Sequence, residues 1–97
     1  MKRDEVIRIL QAQQKELAEK YHVISLSLFG AVARDEARPG SDVNLLVKFA
    51  RPTGLFEFLD LKKRLEALFG CKVVIGKPHS LRPQVKDRVL REAIRVF

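Results

Sequence analysis

The stretch "LFGAVARDEARPGSDVNLLVKF", residues 28–49, decides the fold predicted for this chain of 97 residues. It reads as the end of one strand, a glycine turn, a short polar segment and a second strand that opens with Ser41 and Asp42. Asp42 and Asn44 lie two positions apart, so both side chains point to the same face of a strand. Two carboxylates placed in this way would hold a divalent cation over Gly30, but one of the two is an amide here.

Hydrophobic periodicity predicts helices and strands on both sides of this stretch. The predicted elements are, in chain order, a helix at 4–20, strands at 23–29 and 42–49, a helix at 54–69 closed by Gly70, a strand at 72–75 and a helix at 81–96. This order indicates an α/β (α+β) fold in which a small mixed sheet is flanked by helices. The length suits a single domain over residues 1–97.

Finer expectations concern the helix caps and the faces of the first strand. Asp4 and Ser80 are expected to cap the first and the last helix, because their side chains can accept hydrogen bonds from free backbone N–H groups. In the first strand, Ile24 is expected on the core side together with Leu26 and Leu28, since residues alternate along a strand.

The last predicted helix divides into an apolar half and a basic half on a helical wheel. The residues expected to face the core are Val85, Val89, Leu90, Ala93 and Ile94. The basic half carries Arg88, Arg91 and Arg95, which could dock an acidic partner or nucleic acid, or form the solvated face of an amphipathic helix.

An aromatic residue on the polar side of helix 54–69 is a second candidate for an interface. Phe56 falls there, near Lys63, and an exposed aromatic side chain is typical of protein interfaces. The alternative is that Phe56 folds back onto the loop at 50–54.

Composition and charge narrow the class of protein. The net charge of +7 favours anionic partners, namely nucleotides, nucleic acid or an acidic protein surface, although it can also serve solubility alone. No apolar run approaches the ~18 residues of a membrane span, and the first ten residues contain no hydrophobic signal core. Cys71 is the single cysteine and cannot form an internal disulfide, which suits a reducing compartment. We therefore expect a cytoplasmic protein.

The glycine turn followed by an acidic strand indicates phosphate chemistry. The backbone at Gly30 can approach a phosphate closely, and a metal held by carboxylates beside it would activate an attacking hydroxyl, which is nucleotidyl transfer. Glycine before a turn and aspartate at the start of a strand are also common structural features, so these residues alone leave both interpretations open.

The order and spacing of these residues resemble the minimal nucleotidyltransferases of the DNA polymerase β-like superfamily. The family pattern is Gly-Ser-x-Ala-Arg-Gly, a turn, and Ser-Asp-x-Asp before an apolar strand; this chain has "GAVARD" at 30–35 and "SDVNLLV" at 41–47. The resemblance covers nearly the whole chain and implies the nucleotidyltransferase fold, with ATP as substrate and Mg²⁺ as cofactor. It implies that the nucleotide-binding positions are Gly30, Ala31, Arg34 and Ser41, and that the metal ligands are Asp42 and Asn44.

The chain departs from this pattern at three positions. Ala31 replaces a serine, and Asn44 and Val74 replace two of the three catalytic carboxylates, so that only Asp42 remains. Loss of one preorganised electrostatic group commonly costs about 10²–10³ in rate, and two such losses would cost about 10⁴–10⁶. The sequence therefore predicts weak or lost Mg²⁺ binding and strongly impaired transfer.

The resemblance also implies a partner. Similar proteins are antitoxins that transfer AMP from ATP to a tyrosine of a HEPN-domain toxin (AMPylation). Two interpretations follow, namely an adenylyltransferase of a toxin–antitoxin system, or an inactive binding protein that neutralises the HEPN partner by complex formation. The candidate interface residues are Phe56, Lys63, Arg88, Arg91 and Arg95. Nucleic-acid binding is the weaker hypothesis, because no aromatic residues are interspersed with the arginines.

Overall fold

Five helices and four strands make up the computed structural model, which describes residues 2–97. Met1, the first residue of the predicted domain, lies outside the described residues. The helices are α1 (Arg3–Ala12), α2 (Gln14–Tyr21), α3 (Gly30–Ala33), α4 (Leu55–Phe69) and α5 (Pro83–Glu92), with a 3-10 turn at Pro78–Ser80. The strands are β1 (Val23–Phe29), β2 (Val43–Phe49), β3 (Val73–Gly76) and β4 (Ile94–Arg95).

The four strands form one mixed sheet in the order β3-β2-β1-β4. β1 is antiparallel to both β2 and β4, whereas β2 and β3 are parallel. A parallel pair needs a crossover connection, and α4 provides it. The predicted fold class, a small mixed sheet with flanking helices, is confirmed.

One face of the sheet carries the hydrophobic core. The strands contribute Leu26, Leu28, Val43, Leu45, Val47 and Val73, and the helices contribute Val6, Leu10, Leu17, Val32, Leu61 and Leu65. No polar or charged side chain is buried among residues 2–97. The core is therefore held by apolar packing, whose strength scales with the area removed from water. None of the helices in this part of the chain combines the length and apolarity that a membrane crossing requires.

The opposite face of the sheet carries a row of residues that positions the candidate site. Asn44 lies at the centre of this row, directly beside Phe29 of β1 and Val74 of β3. A second row contains Ser27, paired with Leu46 on one side and with Arg95 on the other.

The N-terminal helical segment differs from its prediction. The expected single helix is interrupted at Gln13, which has a non-helical backbone between α1 and α2. The prediction that Asp4 caps the first helix is wrong, because the extended residue Lys2 precedes α1 and Asp4 lies in its first turn. A carboxylate in that turn still interacts favourably with the helix dipole.

Strand β1 has its predicted bounds but not the predicted face for Ile24. An irregularity in the pairing between Val23 and Ser25 shifts the alternation, so that Val23 is buried and Ile24 is 53% exposed. A bulge of this kind adds one residue to a strand and changes which side chains point inward.

The C-terminal segment differs most from its prediction. α5 ends at Glu92, Ala93 has an extended backbone, and Ile94 pairs with Leu28 of β1 as part of an edge strand. Ser80 belongs to the 3-10 turn, and Arg82 precedes the helix, so the predicted cap is wrong.

The predicted core-facing half of this helix is wrong for the residues on α5, whereas Ile94 packs against the core from β4. None of the residues of α5 is buried, and Val85 and Leu90 are 43% and 45% exposed. The amphipathic pattern is present, but α5 does not bury an apolar stripe in the core.

Candidate functional site

Gly30 connects the end of β1 to α3 with a φ of 78°, a conformation that residues with side chains rarely adopt. A Cβ atom at this position would lie 2.6 Å from Nδ2 of Asn44. The amide of Asn44 therefore lies directly against the backbone of the glycine turn. Glycine is needed here both for its backbone conformation and for the space above its Cα.

The structure brings together the positions that the sequence singled out on separate strands. Asn44 stands beside Val74 in the parallel pairing, and both lie on the sheet face opposite the core. Val74 is 37% exposed and presents methyl groups where the resemblance implies a carboxylate. The glycine turn, an amide and an apolar side chain thus adjoin one another.

Asp42 lies one residue before β2 and is half-buried. The N–H of Val43 donates to the carbonyl oxygen of Lys72 at 3.0 Å, which fixes the start of β2 beside the start of β3. Burial raises the pKa of the Cys71 thiol, and the negative charges of Asp42 and Glu66 raise it further. The carboxylate of Asp42 therefore lies near the Cys71 thiol, and so does a second carboxylate, that of Glu66.

Sequence reasoning missed Glu66. Its Oε2 accepts a hydrogen bond from the N–H of Val73 at 3.1 Å, so that the last turn of α4 holds the first residue of β3. Glutamate on a helix is common, and no local signal in the sequence marks this contact. The charge of Glu66 adds to the negative potential around Cys71.

Ser41 and Ala31 have structural roles in the turn between α3 and β2. The Oγ of Ser41 accepts a hydrogen bond from the N–H of Arg38 at 2.8 Å, and its own N–H donates to the Arg38 carbonyl at 2.9 Å. Ala31 offers no hydroxyl, and its carbonyl accepts from the N–H of Glu36 at 2.8 Å. The Ser41 hydroxyl thus closes its own turn.

Arg34 is engaged with two carboxylates. Its Nε donates to Glu36 at 3.1 Å and its Nη1 donates to Glu92 at 3.2 Å. The hydrogen bond to Glu36 is the main cause of a raised pKa for this guanidinium, and the charge of Glu92 adds to it. Glu92 lies on α5, so this pair joins the glycine turn to the C-terminal helix. Sequence reasoning missed Glu92 because the two residues are 58 positions apart.

The donor set at positions 42, 44 and 74 does not fit a catalytic Mg²⁺. Asp42 supplies the one carboxylate, Asn44 supplies a neutral amide that lies against Gly30, and Val74 supplies no donor. Mg²⁺ is a hard cation that prefers carboxylates and loses its water reluctantly. Within residues 2–97, no three side chains of His, Cys, Asp or Glu cluster as metal ligands.

The residues expected at a partner interface lie on three elements, namely α4, α5 and β4. Phe56 is 81% exposed, which excludes the alternative that it folds back onto the preceding loop. Arg88 and Arg91 lie on α5, but Arg95 lies on β4, so the predicted stripe along one helix is wrong. Lys63 lies on α4 and lines a separate cavity of about 510 Å³.

The apolar patch at the start of α4 consists of Leu55, Phe56 and Leu59. Their side chains are 69%, 81% and 40% exposed, and they lie within two turns of the helix. Exposed apolar side chains that stand together in this way favour an interface with another molecule.

Comparison with known proteins identifies the family. The family model described as the nucleotidyltransferase domain matches residues 10–96. The chain is 39% identical to the protein adenylyltransferase MntA of Thermococcus cleftensis over 93 residues, which cover 96% of this chain and 94% of that protein.

Solved structures agree with this assignment. A minimal nucleotidyltransferase superposes with a TM-score of 0.78 at 37% identity, covering 97% of this chain and 95% of that one. The fold is also similar to a chain in the complex of tri-AMPylated Shewanella oneidensis HEPN toxin with MNT antitoxin. There the TM-score is 0.66 at 13% identity, covering 94% of this chain and 71% of that one. From its sequence and its fold, the chain belongs to the nucleotidyltransferase domain family.

Proposed function

We propose that this chain is a nucleotidyltransferase-fold antitoxin that neutralises a HEPN-domain toxin by forming a complex with it, and that AMP transfer is strongly impaired. The MntA relative and the similar fold in a HEPN toxin complex support the partner. On this proposal residues 1–97 act as a single domain in the cytoplasm.

The position of Asn44 carries the proposal of lost chemistry. It lies between the glycine turn and Val74, at the place where the resemblance implies a second carboxylate facing a third. Removing two charged groups from a preorganised metal site raises the barrier by about 5 to 8 kcal/mol. Asp42 alone provides too little negative charge to hold Mg²⁺ next to the phosphates of a bound ATP.

Nucleotide binding is also expected to be weak. Gly30 still allows a phosphate to approach the backbone closely, but Ala31 lacks the hydroxyl of the family pattern. The Arg34 guanidinium is paired with Glu36 and Glu92, and it would have to leave one of them to bind a phosphate. We therefore propose that ATP is a weak ligand of this chain.

The test compares the natural chain with a restored site. The double variant Asn44→Asp/Val74→Asp should transfer AMP from ATP to a tyrosine of the HEPN partner at least about 10²-fold faster, because it returns the lost charges. Aspartate has the size of asparagine, so the new side chain fits against Gly30. Mass spectrometry of the partner after incubation with ATP and Mg²⁺ detects the added AMP.

The matched control is Val74→Asn, which adds polarity at position 74 without charge. It should leave transfer unchanged. Tight complex formation by the natural chain, without AMP on the partner, supports the proposal. If the natural chain transfers AMP as fast as the double variant, the claim of impaired catalysis is wrong.

A second candidate function is AMP transfer by the chain as it stands. Its support is the 39% identity with a protein adenylyltransferase over nearly the whole chain. The same mass measurement separates the two functions, because only an active transferase adds AMP while the native residues Asn44 and Val74 are in place.

A further inference from the structure

We infer that this chain has a second anion site, at the opposite end of the sheet from Asp42, which takes a small molecule bearing linked phosphates. Asp42 lies at the start of β2, and the new site lies where β2 and β3 end. β2 has seven residues, so the two ends of this strand are about 20 Å apart. This inference goes beyond the proposed function and does not depend on AMP transfer.

The site is a groove made of two adjoining cavities. The larger, of about 600 Å³, lies between the end of β2 and the segment that follows β3. The smaller, of about 360 Å³, lies between the start of α4 and the end of β3. Thr53 and Lys77 line both cavities, so the two adjoin along a shared wall, and together they are called the groove here. The carboxyl ends of parallel strands are where open α/β sheets commonly bind ligands.

The charges of this groove are of one sign. Lys48, Arg51, Lys77 and His79 line it, and neither cavity has an acidic residue in its lining. The cavity near Lys63 has a mixed lining, because Glu57 and Asp60 lie there beside basic residues; Arg51 lines both that cavity and the groove. The ion pairs found within residues 2–97 use the cations of other residues and leave those of the groove without a carboxylate partner.

Lys77 is held in place without being neutralised. Its Nζ lies 5.6 Å from the ring centroid of Phe49 and 5.9 Å from that of Phe58. The two rings are themselves 6.5 Å apart. An aromatic face attracts an ammonium group but leaves its full positive charge in the groove. The rings thus position a cation in the wall that the two cavities share.

The size of the groove selects the class of ligand. Pockets of about 300–1,000 Å³ hold molecules of nucleotide size. Three charged side chains and a histidine around one concavity fit two or three linked phosphates, whose several oxygens can contact several donors at once. Phe49 and Phe58 lie beneath Lys77 and are half-buried, so they do not offer the free stacking surfaces of single-stranded RNA binders.

The test is an NMR titration of the ¹⁵N-labelled full chain with inorganic tripolyphosphate, which carries phosphates but no base. The backbone N–H signals of residues 48–51, 53–54, 76–77 and 79–80 should shift, while those of residues 30–34 should not. Lys77→Gln and Lys48→Gln should each weaken binding about three- to fivefold, as expected for the loss of one partly exposed charge contact. Two variants are used because Lys77 also contacts the aromatic rings.

Lys15→Gln is the matched control, since it removes the same charge from an exposed position on α2. Binding that the control leaves unchanged, with shifts confined to the groove, supports the proposal. If all three variants weaken tripolyphosphate binding equally, or if amide signals shift over the whole surface, binding depends only on the net charge of the protein and the proposed site is wrong. Tighter binding of a single-stranded RNA than of tripolyphosphate to the same amides would overturn the small-molecule assignment.

Discussion

Replacement of Gly30 by alanine tests the geometry of the candidate site most directly. The new Cβ must accept a φ of 78° and must also share space with Nδ2 of Asn44 at 2.6 Å. The backbone conformation alone costs about 1–2 kcal/mol for a residue with a Cβ. The nearest atom is the end of the Asn44 side chain, which can move to a less favourable rotamer, so the overlap adds about 0.5–1.5 kcal/mol.

The expected total loss for Gly30→Ala is therefore about 1.5–3.5 kcal/mol, against a total stability of roughly 5–15 kcal/mol. Urea unfolding followed by circular dichroism measures this loss. Gly40→Ala and Gly70→Ala are matched controls, because both glycines have positive φ but a Cβ there meets nothing within 4 Å. Each control should lose only the conformational part, about 1–2 kcal/mol.

A double variant separates the two causes. Asn44→Ala removes the amide, and the Cβ that remains would lie 3.4 Å from the new methyl group, which is ordinary contact. In Gly30→Ala/Asn44→Ala the additional loss should disappear, which corresponds to a coupling free energy of about 0.5–1.5 kcal/mol between the two positions. If Gly30→Ala costs no more than the control glycines, or if Asn44→Ala brings no recovery, the amide does not lie against the turn as described.

Three further predictions concern other parts of the chain. Glu16 has a lowered pKa because Arg64 donates to it, so its charge stabilises the fold above its ordinary pKa of 4.5 and loses this effect as the pH falls. Glu16→Gln should therefore lower the urea midpoint at pH 7, and the difference should shrink at pH 3. Asp42→Asn should lower the pKa of Cys71 and speed its alkylation at pH 8 about twofold, because a negative charge near the thiol is removed. Phe56→Ser should change stability by less than about 0.5 kcal/mol, since the side chain is 81% exposed, but weaken binding of a HEPN partner about tenfold in calorimetry.

Each of these predictions has a control and a contrary result. If Glu16→Gln lowers the urea midpoint equally at pH 7 and pH 3, the charge of Glu16 is not the cause of the lost stability. Asp60→Asn removes a carboxylate that does not affect the Cys71 pKa, so an alkylation rate raised equally by both variants would refute the proximity of Asp42. Ile24→Ser changes an exposed apolar residue outside α4, and if it weakens the complex as much as Phe56→Ser does, the α4 patch is not the interface.

The sequence by itself determined the elements whose signals are local. The alternation in β1 and β2 gave both strands to within a residue, and Gly70 in the left-handed conformation ends α4 as expected. The glycine turn and the Ser-Asp-Val-Asn start of β2 pointed to the family, because spacing along the chain encodes which residues share a face. These features depend on the periodicity of apolar residues and on single residues such as glycine, and both can be identified from the sequence without knowledge of the fold.

The tertiary structure alone decided the features that depend on distant partners. Ile94 and Arg95 continue a helical pattern in sequence, but the free edge of β1 offers hydrogen bonds that an extended backbone can satisfy. The pairing of Arg34 with Glu92 joins residues 58 positions apart. The groove likewise forms only where the segment after β2 meets the segment after β3. In each case the stabilising contact lies across the fold, and no local pattern can specify it.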